Sequence, residues 1–123
     1  MKIIGSFPST RMRRNRKEDW SRRLVQENAL SANDLIWPIF VCDGKNKKEE
    51  IKSMKGVYRY SVDKLEGLVE KAIKMKIPMI ALFPHTPSSR KSSKGLEALN
   101  KNNLVCKSLR LIKKNFNEIG LMC

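Results

Sequence analysis

An α/β architecture built on a parallel sheet is what the sequence predicts, and three observations carry it. Two seven-residue stretches, 35–41 and 77–83, are apolar without alternation, as in strands buried on both faces. Segments with helical spacing follow at 62–76 and 104–116. A third apolar stretch opens at Ile119. Strands alternating with helices form βαβ units, which require parallel pairing and right-handed crossovers. Three such strands suit either an open doubly wound sheet or a barrel. Neither strand-to-helix loop carries a G-x-G-x-x-G or G-x-x-x-x-G-K pattern, which weakens an open sheet of the nucleotide-binding kind.

Residues 1–30 are a basic segment in which Trp20, Leu24 and Val25 make one short helical stripe but no core, so an arm that docks elsewhere is expected. Residues 31–123 form the second region. Its first strand contains Pro38, which predicts an edge position unless the missing donor falls at a bulge or at the strand's beginning. Asp43 and Gly44 end it in a turn, and 45–60 is a polar excursion with a hairpin or extended piece at 56–60. Ser61 is placed to cap the first helix, with Asp63 in its first turn. Val62, Leu65, Val69, Ala72, Ile73 and Lys76 fall on one face of that helix. After the second strand, 86–94 is a Ser-, Pro- and Lys-containing loop. Asn102 or Asn103 caps the second helix, whose stripe is Leu104, Val105, Leu109, Ile112 and Phe116. Residues 119–123 read as the opening of a buried strand with no turn or polar tail after it. The expectation is the front part of a longer protein.

The formal charge is +14 over 123 residues, which raises nucleic acid or an acidic membrane as partners. The first 23 residues hold eight basic side chains against two acidic ones, including Arg11, Arg13, Arg14, Arg16, Arg22 and Arg23. No aromatic platform, recognition-helix motif or zinc-finger spacing accompanies them, so nucleic-acid binding stays the alternative reading. Cys42, Cys106 and Cys123 have no metal-knuckle or redox spacing. Their odd number argues for a reducing, cytoplasmic compartment. Ile3 and Ile4 are too few for a signal sequence, the basic start lacks a transit peptide's Ser-rich pattern, and no stretch is long enough to span a membrane.

Five blocks decide more than the pattern does. RMRRNR (11–16), LIWPIFV (35–41), IKSMKGVYR (51–59), ALFP (81–84), and GLEALN (95–100) with NLVC (103–106) closely resemble porphobilinogen synthase (δ-aminolevulinic acid dehydratase), in the family's order and spacing. The ALFP form is most similar to the bacterial, alphaproteobacterial branch. Lys55, Lys76 and Lys101 depart from it, standing where the family commonly has proline, glycine and proline. This puts the helix C-cap and loop rigidity in question rather than the chemistry.

The resemblance implies an N-terminal basic arm, the first two βα units and the start of the third strand of a (β/α)₈ barrel, which needs about 250 residues when whole. It implies a hydro-lyase that condenses two molecules of 5-aminolevulinate into porphobilinogen for tetrapyrrole (heme) synthesis. It further implies two Schiff-base lysines on late strands, a magnesium or zinc loop just after the third strand, and an arm that wraps a neighbouring subunit in a homo-oligomer, an octamer in the family. Both lysines and the metal loop are expected beyond Cys123. No catalytic, cofactor-binding or metal-ligating residue is therefore assigned within this chain, which is expected to be inactive by itself. The remaining candidates read as structural. Lys47 and Lys48 sit in a polar loop, Lys113 and Lys114 near a helix C-terminus, His85 follows a strand end without a second ligand, and Cys123 belongs to strand packing.

Overall fold

The structure, a computed structural model, describes residues 5–11 and 13–123; Met1, Lys2, Ile3, Ile4 and Met12 lie outside the described residues. The chain divides into two units, Met1–Leu30 and Ser31–Cys123. In the first, a 3₁₀ turn at Arg14–Arg16 precedes helix α1 (Asp19–Leu24). The Ser21 hydroxyl donates to the Asn15 carbonyl oxygen at 3.0 Å and ties the two together. Trp20 and Leu24 stay exposed, as expected of a stripe too short to make a core.

The second unit is an α/β layer around a five-stranded sheet of order β2-β3-β1-β4-β5. Its strands are β1 (Ile36–Cys42), β2 (Lys48–Glu50), β3 (Tyr58–Ser61), β4 (Met79–Pro84) and β5 (Gly120–Met122). β1, β4 and β5 are the three expected strands and pair in parallel, Phe40 opposite Phe83 and Ile80 opposite Leu121. The expected sheet lacked two members. β3 adds in parallel to the end of β1, and β2 pairs antiparallel with β3, so the polar excursion folds back as a hairpin.

Pro38 corrects a second expectation, because β1 is central in the sheet rather than at its edge. The Val41 carbonyl oxygen accepts from the His85 amide at 2.7 Å, on the β4 flank. Backbone polar groups alternate flanks along a strand, so Pro38 turns its missing donor toward β3. Pairing there begins only at Phe40. The strand is locally an edge at that point, which is where proline is tolerated.

Helices α2 (Leu65–Lys74) and α4 (Leu104–Asn115) cover one face of the sheet. Ile39, Val41, Ile80 and Leu82 meet Leu65, Val69 and Ala72 from α2 and Leu104 and Ile112 from α4. The opposite face carries Ile36, Pro38, Phe40, Met79 and Phe83, with the Phe40 and Phe83 rings 5.6 Å apart. Ile36 and Phe83 are each 49% exposed.

The helix ends show how local sequence sets the elements. Asn103 is the cap of α4, its Oδ1 accepting from the Cys106 amide at 2.8 Å. Ser61 does not cap. A 3₁₀ turn at Val62–Lys64 comes before α2, and the Ser61 Oγ instead accepts from the Lys47 amide at 2.8 Å. At the other end of α2, Lys76 takes the left-handed conformation (φ 58°). The Lys76 amide bonds the Ile73 carbonyl oxygen and the Ile77 amide that of Ala72, a Schellman closure with lysine at the position that favours glycine. A short helix, α3 (Leu96–Leu99), was not expected in the connection. It starts from Gly95, whose φ of 63° suits a residue without Cβ. Among the described residues, no helix is long and apolar enough to cross a membrane.

Candidate functional site

Parallel strands send their C-terminal ends to one side, and in α/β folds that side binds ligands because the connecting loops gather there. Here the rim is formed by Asp43 after β1, His85 after β4, the segment through α3, and the first turn of α4. Together with Leu82, Leu109, Cys106 and Cys123, these line a cavity of about 410 Å³.

One ion-pair relay organises the rim. Arg90, at the end of a 3₁₀ turn (Ser88–Arg90), donates to Asp43 Oδ2 at 3.0 Å and approaches Glu97 Oε1 at 4.0 Å. All three are partly exposed, so each pair contributes at most about 1 kcal/mol. Its consequence is positional, since it holds the loop after β4 against the end of β1. Sequence reasoning missed this relay because Asp43 and Arg90 are 47 positions apart and no local pattern links them.

The candidates singled out from the sequence fall into two groups. His85 lies on the rim, where its amide extends the β1–β4 ladder while its exposed imidazole borders the cavity. Cys106 and Cys123 border it too, whereas Cys42 is buried near Glu49, and desolvation first, then Glu49, pushes its thiol pKa up. The lysines lie elsewhere. Lys47 and Lys48 are exposed at β2, and Lys113 and Lys114 occupy the last turn of α4, with the Lys113 Nζ 3.5 Å from the Ile119 carbonyl oxygen.

A small electrostatic knot lies beside the rim. The Asn46 amide donates to Asp63 Oδ2 at 2.9 Å. The Ser61 hydroxyl, close to both Asp63 and the Lys47 carbonyl oxygen, and then the Asn46 amide hold the Asp63 carboxyl below its ordinary pKa. This fixes the hairpin loop against the start of α2. In the first unit, Arg22 and Arg23 pair with Asp19 at 3.4 and 3.1 Å.

Among the described residues, no three His, Cys, Asp or Glu side chains are gathered to hold a metal ion. The rim offers hydrogen-bonding groups around an apolar hollow.

Comparison with known proteins adds what the geometry leaves open. Residues 9–123 match the family model described as delta-aminolevulinic acid dehydratase. A delta-aminolevulinic acid dehydratase of Bradyrhizobium diazoefficiens is 56% identical over 113 residues, covering 92% of this chain and 32% of the relative. That of Methanothermus sociabilis is 43% identical, covering 88% and 33%. The chain is also similar to a crystal structure of delta-aminolevulinic acid dehydratase (porphobilinogen synthase) from Toxoplasma gondii ME49 in complex with the reaction product porphobilinogen. The TM-score is 0.80 at 35% identity, covering 91% of this chain and 32% of that one. The chain thus spans about a third of the length of the curated relatives it matches. It belongs to the delta-aminolevulinic acid dehydratase family.

Proposed function

We propose that this chain is the N-terminal part of a porphobilinogen synthase, a lyase that condenses two molecules of 5-aminolevulinate into porphobilinogen with loss of water. The observation that carries this reading is the family match over residues 9–123. The bare sheet face supports its architectural side. Ile36, Phe40 and Phe83 turn away from both helices, as the inward side chains of a (β/α)₈ barrel do when further strands close around them. In this reading β1 and β4, each with its following helix, are the first two βα units, and β5 begins the third strand.

The groups that do the chemistry lie outside these residues. A Schiff-base lysine must be neutral to attack a carbonyl, which requires an apolar pocket or a neighbouring cation. The exposed Lys47, Lys48, Lys113 and Lys114 have no such pocket. What this chain supplies is scaffold: one part of a rim, fixed by Asp43, Arg90 and Glu97, on which the loops of further strands assemble. The basic first unit acts as an arm that pairs with acidic groups of a second copy in a homo-oligomer of the cytoplasm, and a magnesium or zinc ion is held by residues after Cys123.

The test is to assay porphobilinogen formation from 5-aminolevulinate by the 123-residue chain and by the product of the whole coding sequence that contains it. The whole product is expected to turn over and the chain to form none. Turnover by the chain alone, or none by the whole product, would sink the proposal.

A further inference from the structure

Of the four aspartates, Asp19, Asp34, Asp43 and Asp63, Asp43 alone is followed by glycine, and no asparagine is. The pair lies in the exposed turn after β1, where Gly44 has a φ of 123°. That conformation, with the Lys47 side chain 2.8 Å from where a Cβ would stand, keeps a glycine in the turn. Without a side chain, Gly44 leaves its amide nitrogen open to approach from Asp43. Among the described residues that amide donates to no acceptor. The Asp43 side chain is 48% exposed, so water reaches it. One contact restrains it, the Arg90 guanidinium donating to Oδ2 at 3.0 Å.

Rearrangement of such a dipeptide needs only water. The Gly44 nitrogen attacks Asp43 Cγ and a C–N bond forms, while one carboxyl oxygen leaves as water with the amide proton and a proton from solvent. The product is a five-membered succinimide. Water then opens the ring. Cleavage at the Asp43 main-chain carbonyl routes the chain through Cγ and leaves the α-carboxylate as the side group, an isoaspartyl residue of unchanged mass. The first step requires Cγ to fold back onto the Gly44 nitrogen, which a carboxyl held by Arg90 does only when the pair opens. We infer that Asp43–Gly44 is a site of isoaspartyl modification on the rim and that Arg90 sets its rate. The product adds a methylene to the backbone and takes one from the side group. It therefore falls short of Arg90, and the loop after β4 is released from the end of β1. The modification is independent of the enzymatic reading, and its absence would leave that reading intact.

Prolonged incubation of the 123-residue chain at neutral pH and physiological temperature tests it. Isoaspartate is read by methyl transfer from S-adenosylmethionine with a protein isoaspartyl methyltransferase, followed by peptide mapping. It is expected to accumulate in the peptide that carries Asp43 and not in those that carry Asp19, Asp34 or Asp63. Arg90→Ala should speed its appearance about threefold, a limit set by how weakly an exposed ion pair is held. Ile112→Val loosens the buried core while keeping the pair, and should change the rate less than about 1.5-fold. No isoaspartate at Asp43 in the native chain and in Arg90→Ala, or equal rates in the two, would overturn the proposal. So would an equal acceleration by Ile112→Val, which would make opening of the whole fold the route.

Discussion

The two faces of the sheet are written in nearly the same alphabet and meet different fates. In β1, Ile39 and Val41 are 3% and 1% exposed beneath the helices, while their neighbour Ile36 is 49% exposed on the other side. β4 repeats this, with Leu82 at 2% and Phe83 at 49%. An unbroken apolar run therefore reports that both faces are meant to be covered, and this chain's two long helices cover one. The difference teaches that apolarity states a strand's eventual environment, whereas burial states what is present to provide it.

The sharpest way to break this comparison is to truncate one side chain on each face. Ile80→Ala removes a residue with no exposed surface from between α2 and α4, and should cost about 3 kcal/mol in urea denaturation from the lost transfer energy and the cavity. Phe83→Ala removes a larger side chain from the bare face and should cost less than about 1 kcal/mol, because half its surface already meets water. It should also lower binding of an apolar dye, since the patch shrinks. Equal costs at the two sites would show that the second face is covered in solution.

A middle-sized effect concerns how the helices are held on their one face. Asn103→Ala leaves the Cys106 amide without its acceptor and should destabilise by about 1 kcal/mol. Lys76→Gly acts in the opposite direction. It relieves a left-handed lysine at the closure of α2 and should stabilise by up to about 1 kcal/mol, after the cost of glycine's extra freedom in the unfolded chain. A destabilising Lys76→Gly would mean that the lysine side chain makes up for its backbone strain.

How far these features were legible follows from their range. β1, β4 and β5 are long or start abruptly as apolar runs, and the Asn103 cap precedes an obvious helical stripe, so local pattern sufficed. Lys76 was marked by standing where the related family has glycine. Pro38 was misjudged because its tolerance depends on where β3 begins, which no residue near 38 announces. Ser61 was misassigned because the Lys47 amide, 14 positions away, competes for its oxygen. The buried Ser108 was absent from the expected stripe because its hydroxyl is satisfied by the Leu104 carbonyl oxygen at 2.8 Å, a bond that hides its polarity from the core. The rim relay of Asp43, Arg90 and Glu97 was illegible for the same reason of range.

The smallest expected effect is a dependence on pH that bears on the covered face alone. The Asp63 carboxyl, lowered mainly by Ser61 and then by the Asn46 amide, anchors the hairpin loop to the entry of α2. Asp34 is lowered in the same direction by the Ser31 amide and hydroxyl, in a capping box just ahead of β1. A carboxyl with a folded pKa below its unfolded value near 3.9 binds fewer protons folded than unfolded, so it stabilises the fold above that value. The contribution is full above about pH 5 and is lost as pH falls through the lowered folded pKa. Urea midpoints measured from pH 6 down to pH 3 should therefore hold steady and then fall. Asp63→Asn should flatten part of that fall while lowering the plateau, because the amide oxygen still accepts from Asn46 but carries no charge. A fall of unchanged steepness in Asp63→Asn would assign the acid sensitivity to other carboxyls and leave the entry of α2 held by packing alone.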